Sequence, residues 1–295
     1  MNYVILCISM LACIVGNILR KYSGDRFQNK KVMYHVYNGC LSAAAAAALI
    51  IVGGIPQISL FTLGLGIMFG VVTALQSVFQ LKAYDKGPMS YTTVIVTLSS
   101  VIPALSGYFI WGEKIVPIQI VGIGFMIASF VCFADFSGKE KSTSVQWFVF
   151  SIAAFVCTGI IGVTQKYQQT TVYKHQLDGF LVVAFAASFI YSAIIVLFSA
   201  TRQSRDANAA LKKEITPVLI AVAAIAGCCA AGNNKMNIYL SGVIDSAVFF
   251  PVVNAGGLIM STIADMVLFK EKIQPLKWLG MAVGLISVIL LCNPF

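Results

Sequence analysis

Charge is scarce in this sequence, and negative charge is the scarcest. Only 11 of the 295 residues are acidic, and only two are histidines. The closest pair of aspartates, Asp245 and Asp265, lies 20 residues apart, which excludes the paired aspartate-rich motifs that hold magnesium and diphosphate in prenyl-transfer enzymes. Neither His35 nor His175 adjoins a plausible nucleophile motif, so serine hydrolysis is not indicated. We therefore expect no enzyme, no bound metal and no cofactor.

Signals for disulfides and for nucleic acid are also missing. The eight cysteines form no CxxC pair and have no partnering histidine, so we interpret them as small apolar side chains. The formal net charge is +9, yet the Lys and Arg residues lie between apolar runs and form no basic stripe with interleaved aromatics. We expect no nucleic acid partner and interpret these cations as membrane topology signals.

Apolar residues dominate what is present. The chain is 59% hydrophobic and 11% charged, with a mean hydropathy of +0.87, which is more apolar surface than one soluble core of this size can bury. Its solvent is predicted to be the lipid bilayer of the cell membrane. We predict an all-α membrane protein, because lipid requires each segment to satisfy its own backbone hydrogen bonds. The ten predicted transmembrane helices cover 3–19, 32–52, 58–81, 89–111, 115–136, 145–163, 180–200, 215–231, 243–269 and 276–292.

An internal repeat divides these helices into two sets. The stretches "WGEKIVPIQIVG" (111–122) and "FKEKIQPLKWLG" (269–280) share five of twelve positions at an offset of 158 residues. They join spans 4 and 5 and spans 9 and 10, so we predict two five-helix repeats, 1–142 and 143–295. An odd number of spans per repeat makes the two repeats inverted. Glu113 and Glu271 are predicted to cap the helix that follows each of them, to dock it, and to pair with a basic partner at a gate.

The repeat motifs carry a family resemblance. The junction "GEK", a proline ten residues before its glutamate (Pro103) and the stretch "AYDKGP" at 83–88 resemble the EamA-type branch of the drug/metabolite transporter superfamily. The resemblance implies a secondary transporter or exporter of small organic solutes, with a cavity lined by spans 1, 3, 4, 6, 8 and 9. The second half departs from the pattern, because Ser261 replaces the proline and Pro251 lies further back. The two halves are therefore predicted to bend at different depths.

Polar residues inside the spans nominate the substrate cavity, since an ionisable group in hydrocarbon costs roughly 2.5–3.5 kcal/mol on insertion scales. The predicted cavity residues are Asn17, Arg20, His35, Asn38, Gln76, Gln80, Tyr91, Thr93, Thr97, Gln165, Asn234, Asn254 and Asp265. Serine and threonine in such helices also bond their own backbone or join neighbouring helices. At the span ends we expect basic side chains to snorkel to the interface, namely Arg20, Lys21, Lys166 and Lys235. GxxxG pairs, Gly66 with Gly70 and Gly280 with Gly284, predict close helix contacts.

Asp265 is the acidic residue that falls inside a span, and we predict that it couples transport to a proton. The alternative is a salt bridge to Lys270, to Lys272 or to a Lys of a neighbouring span near the interface. Of the 20 Lys and Arg residues, 16 belong to loops on one side, so the positive-inside rule places both termini outside, whereas the resemblance implies cytoplasmic termini.

The expected function is alternating-access transport of a small-molecule substrate by a monomer or homodimer, with an intramembrane enzyme or a channel as the alternatives.

Overall fold

The computed structural model describes residues 2–24, 31–87, 89–132, 144–202, 215–268 and 275–292, of which 20–24, 31, 89, 90, 202, 265 and 292 are described by backbone alone. These residues are almost entirely helical, and no strand occurs among them. The helices are α1 (Asn2–Gly24), α2 (Lys31–Gly53), α3 (Leu60–Lys86), α4 (Met89–Leu98), α5 (Val101–Trp111), α6 (Pro117–Cys132), α7 (Val145–Thr170), a 3₁₀ turn (Lys174–Gln176), α8 (Leu177–Arg202), α9 (Pro217–Ser241), α10 (Ser246–Leu268) and α11 (Pro275–Cys292).

Within the described ranges, eight segments are long and apolar enough to cross a membrane, the α4–α5 segment Tyr91–Trp111 counting as one of them. Two further apolar helices, Pro117–Cys132 and Pro275–Leu291, are shorter. Large apolar side chains such as Phe109 and Leu197 face outward, as expected for surfaces that contact lipid. The all-α prediction is confirmed for the described residues, and the apolar helices indicate a membrane protein. Ten spans remain a prediction.

The predicted fourth span is interrupted between α4 and α5. The amides of Ser99 and Ser100 donate to carbonyls three residues back rather than four, at 3.2 Å each. Pro103 explains the break, because its ring would collide with the Ser99 carbonyl in a continuous helix. That carbonyl instead accepts from the Ile102 amide at 3.0 Å. In the second half α10 continues through Pro251 without interruption, so the chain responds differently to Pro103 and to Pro251.

The described residues pack into two compact units, each drawing on both halves of the chain. The first unit combines Tyr3–Val71 with Val172–Asn237, and the second combines Val72–Thr171 with Ile238–Phe295. These units are defined by which residues pack together, whereas the two repeats were predicted from similarity between two parts of the sequence. The division at residue 142 therefore remains a prediction.

The first unit is built by close packing of α2 and α3 against α8, and of α2 against α9. Its apolar core consists of Met33, Tyr37 and Leu41 from α2 with Leu219, Ala223 and Ala226 from α9. On α3, Gly66 and Gly70 lie against α8, where a Cβ on Gly70 would stand 2.5 Å from the Ala184 carbonyl oxygen and 2.8 Å from the Ala187 Cβ. The predicted close contact at this GxxxG pair is confirmed.

The second unit contains a helix pair held by reciprocal hydrogen bonds. The Ser129 hydroxyl of α6 donates to the Gly280 carbonyl of α11 at 2.7 Å, and the Ser287 hydroxyl of α11 donates to the Gly122 carbonyl of α6 at 2.8 Å. Gly284 lies directly against Ser129, which confirms the second predicted GxxxG contact. A core cluster covers this pair, made of Val94, Met126, Phe130, Ala255, Ile259 and Met281.

The α3–α8 contact gives a stability prediction. We expect Gly70→Ala to lower the free energy of unfolding by about 1–3 kcal/mol, because the added methyl group overpacks against the α8 backbone. Gly64→Ala on the same helix is the matched control, since nothing lies within 4 Å of a Cβ there. Thermal unfolding in detergent micelles measures both variants. Equal stability of the two would contradict this packing.

Candidate functional site

Glu113 is placed by a sharp turn at the end of α5. Gly112 follows the helix with φ of 65°, a left-handed conformation that favours glycine. The Glu113 amide then donates to the Gly107 carbonyl at 3.0 Å, which turns the chain back along α5. Gly107 leaves room for the returning carboxylate, because a Cβ there would collide with the Glu113 carboxylate and with Ser246.

The Glu113 carboxylate lies in a buried cluster of charged and backbone groups in the second unit. One carboxylate oxygen is 2.5 Å from the Lys166 Nζ of α7. The other accepts the Ser246 amide at 2.7 Å, at the N-terminus of α10. Lys166 also donates to the Ile244 carbonyl at 3.3 Å. The side chains of Lys166 and Glu113 are only 7% and 12% exposed.

The helix dipole and the ion pair act together here. The partial positive charge at the start of α10 and the ammonium both stabilise the carboxylate, while the carboxylate and the Ile244 carbonyl satisfy the ammonium. Removing one charge from such a pair leaves the other buried without compensation. We call this group of Glu113, Lys166, Ile244 and Ser246 the latch cluster.

Two expectations are wrong at this cluster. Lys166 does not snorkel, because its ammonium is buried and finds its acceptors inside the protein. Glu113 caps the start of α10, which is distant in the sequence, and not the start of α6, the helix that follows it. The start of α6 is capped by Gln119, whose side-chain oxygen accepts the Val116 amide at 3.1 Å.

A second group, which joins the predicted residues Gln76, Gln80 and Thr93 through Tyr84, forms a hydrogen-bonded chain in the same unit. The Gln76 amide donates to the Gln80 side-chain oxygen at 2.8 Å, and the Gln80 amide donates to the Tyr84 hydroxyl at 2.6 Å. The Tyr84 and Thr93 hydroxyl oxygens are 3.2 Å apart, which links α3 to α4. The three α3 residues share a face because they are spaced four apart. We call these four residues the glutamine chain.

Asparagines of α9 form a third polar group, in the first unit. The Ser9 hydroxyl of α1 lies 2.9 Å from the Asn233 side-chain oxygen and 2.6 Å from that of Asn237. The Asn237 amide also donates to the Asn233 oxygen at 3.2 Å. The predicted residue Asn234 instead donates to the Ala230 carbonyl of its own helix at 2.9 Å.

Other predicted residues lie outside these groups. Thr97 and Asn254 bond backbone carbonyls of their own helices, those of Thr93 and Phe250. Tyr91 packs against the apolar core cluster of the second unit.

In the first unit, Asn17 is exposed and donates to the Cys13 sulfur at 3.7 Å. His35 lies edge-on to Tyr34 and Tyr191, with ring centroids 5.7 and 5.9 Å away. The two remaining amides, Asn38 and Gln165, are half-buried. Glu271 and the side chains of Arg20 and Asp265 lie outside the described residues.

Several members of these groups are not among the site residues predicted from the sequence. Ser9 carries no signal of its own, because a lone serine in an apolar run is ordinary. Lys166 had a usable signal, since a buried Glu113 needs a cation and the triplet "QKY" at 165–167 echoes "RKY" at 20–22. Among the described residues, no group of three or more His, Cys, Asp or Glu side chains is arranged to hold a metal ion.

The latch cluster gives a second prediction. We expect Glu113→Gln to lower the free energy of unfolding by about 3–5 kcal/mol, because the Lys166 ammonium loses its counter-charge in a buried place. The double variant Glu113→Gln with Lys166→Met is expected to recover part of this loss, since it removes the uncompensated charge. Thermal unfolding of the two single variants and the double variant forms a double-mutant cycle.

A partly exposed ion pair serves as the control. Lys235 of α9 is 2.7 Å from the Asp178 carboxylate of α8, with side chains 42% and 29% exposed. Asp178→Asn is expected to cost only about 0–1 kcal/mol. An equal loss in Asp178→Asn and Glu113→Gln, or an additive double-mutant cycle at the latch cluster, would show that burial does not strengthen the Glu113 pair.

The comparisons with known proteins concern the fold. No protein-family model matches the chain, and no curated protein matches its sequence. Among solved structures, 28 chains match. One of them, described as "Crystal structure of protein", has a TM-score of 0.75 at 14% sequence identity, and the match covers 99% of this chain and 96% of the other. At that identity the likeness shows a shared fold, and function has to be argued from the site.

Proposed function

We propose that the protein is a secondary active transporter or exporter of small organic metabolites or drugs. In this proposal ten transmembrane helices cross the cell membrane as two inverted five-helix repeats, 1–142 and 143–295. Exchange of conformation between the repeats would open a substrate site alternately to each side of the membrane. The EamA-type resemblance of the junction motifs points the same way.

The observation that carries the proposal is the reciprocity of the α6–α11 pair. Gly122 and Gly280 occupy the same position in the two repeated stretches, and Ser129 and Ser287 each follow seven residues later. Each serine bonds the carbonyl of the other helix's glycine. Contacts in which i meets j and j meets i are those that a twofold axis produces. This reciprocity supports a twofold relation between the two stretches that are 158 residues apart, and we propose that the relation is that of an inverted repeat.

The glutamine chain supports a polar organic substrate. Its amides and hydroxyls offer hydrogen bonds without a formal charge, and the Tyr84 ring adds an aromatic surface. Half-buried amides inside an apolar helix are costly unless they are hydrogen-bonded, and in this proposal they exchange their mutual hydrogen bonds for bonds to a solute. Gln76 and Gln80 are accordingly the residues for which we propose direct substrate contact.

Transport by purified protein in proteoliposomes tests the proposal. We expect saturable uptake of a radiolabelled substrate and counterflow, found by screening amino acids, nucleotide-like compounds and flat drugs. Gln80→Met is expected to reduce uptake at low substrate concentration by up to about tenfold, the loss of one neutral hydrogen bond. Gln146→Met, at an exposed glutamine near the start of α7, is the matched control and is expected to transport normally.

Other outcomes separate the alternatives. Flux that does not saturate and shows no counterflow would indicate a channel, and chemical conversion of the compound would indicate an enzyme. Equal effects of Gln80→Met and Gln146→Met would remove the glutamine chain from the substrate path while leaving transport itself established.

Proton coupling through Asp265 is a separate prediction. Asp265 belongs to the sequence of α10, a membrane-length helix, and a carboxyl group in such a segment is a candidate proton carrier. We expect Asp265→Asn to abolish the dependence of transport on a proton gradient, since it keeps the shape and removes the titration. Asp245→Asn, at an exposed aspartate just before α10, is expected to retain it. Unchanged gradient dependence in Asp265→Asn would assign that side chain a structural role.

A further inference from the structure

An apolar groove opens on the surface of the second unit between α3 and α7. Its volume is about 460 Å³. Phe79 forms the α3 wall, and the α7 wall includes Phe148, Ile152, Ala153 and Cys157. None of the lining side chains carries a charge. The groove therefore fits a hydrocarbon occupant and not a polar solute.

One end of the groove is cationic. The Lys82 Nζ lies 5.3 Å from the centroid of the Phe150 ring, and that ring stacks on the Phe79 ring with centroids 6.4 Å apart. Lys82 is exposed. Lys86 follows one turn later and is also exposed, so this end of α3 is net positive even with Asp85 counted.

The groove is about as long as the acyl chain of a lipid in one leaflet. The cationic end of the groove is the end at which the headgroup of that lipid would lie. The Ser144 hydroxyl donates to the Lys86 carbonyl, so the C-terminal end of α3 meets the N-terminal end of α7. Phe148 and Cys157 are nine residues apart, or about 14 Å along the helix. Half of a hydrocarbon core of about 30 Å is about 15 Å. Lys82 thus lies where a headgroup would be if an acyl chain of one leaflet filled the groove.

We propose that this groove binds an anionic glycerophospholipid, with one acyl chain along α7 and the headgroup phosphate beside Lys82. Charge complementarity selects this occupant. A zwitterionic lipid would fill the same hydrocarbon space but brings no net charge to the ammonium. A second copy of the chain would cover the apolar wall but would leave Lys82 at the rim without a counter-charge. The proposal is independent of the transport function.

Thermal unfolding in detergent micelles tests the site, with phosphatidylglycerol or phosphatidylcholine of the same acyl chains as the added probe. We expect phosphatidylglycerol to raise Tm by roughly 3 °C more than phosphatidylcholine, because a ligand of the folded state stabilises it. Lys82→Gln is expected to abolish that difference. Lys174→Gln, which removes an exposed cation of the 3₁₀ turn, is the matched control and is expected to retain it.

A groove-filling variant tests the hydrocarbon part. Ala153→Phe is expected to reduce the Tm shift from both lipids, whereas Ala128→Phe at an exposed site on α6 is expected to leave both shifts intact. Equal shifts from the two lipids in the unaltered protein, or a phosphatidylglycerol advantage that survives in Lys82→Gln, would overturn the proposal. So would a lipid-independent change of molecular mass in Ala153→Phe by light scattering, because that result would assign the groove to a second copy.

Discussion

Lipid exerts no hydrophobic force that drives one apolar helix onto another, and the whole structure depends on this constraint. Helices in such a solvent associate through close packing and through hydrogen bonds between them. Both devices are present here. Gly66 and Gly70 bring the α3 backbone against α8, and the serines of α6 and α11 bond backbone carbonyls of the partner helix. An apolar side chain in place of either serine would keep the hydropathy and lose the contact that fixes the register of the pair.

Charge is used sparingly under the same constraint. The Glu113–Lys166 pair is buried, which is expensive unless every group is satisfied. The α10 N-terminus and the Ile244 carbonyl supply the missing partners, so three elements of the second unit are tied at one point. We infer that the pair serves mainly to define one arrangement of α5, α7 and α10, because replacing a buried ion pair by apolar residues often costs no stability. In the transport cycle that we propose, breaking this contact would require both charges to find new partners.

The solved structure with 14% identity and a TM-score of 0.75 shows how little of this sequence the fold needs. Outward faces such as those of Phe109 and Leu197 need only be apolar, so many sequences satisfy them. Few positions restrict the residue type, and these positions require a small residue. Examples are Gly107 beneath the Glu113 carboxylate and Gly162 against Pro103. This distribution explains how two chains that differ at most positions can share a fold.

The sequence by itself determined the all-α class, the approximate helix ranges and the close contacts at Gly66, Gly70, Gly280 and Gly284. Hydropathy and the spacing of small residues are local properties of the sequence. In lipid these two properties determine which segments form helices and where helices pack closely. Only the tertiary structure decided that Glu113 caps α10 and pairs with Lys166, and that Gln76, Gln80, Tyr84 and Thr93 form one chain. A carboxylate pairs with the cation and the free amide that are nearest in space, and the 52 residues between Glu113 and Lys166 do not determine that distance.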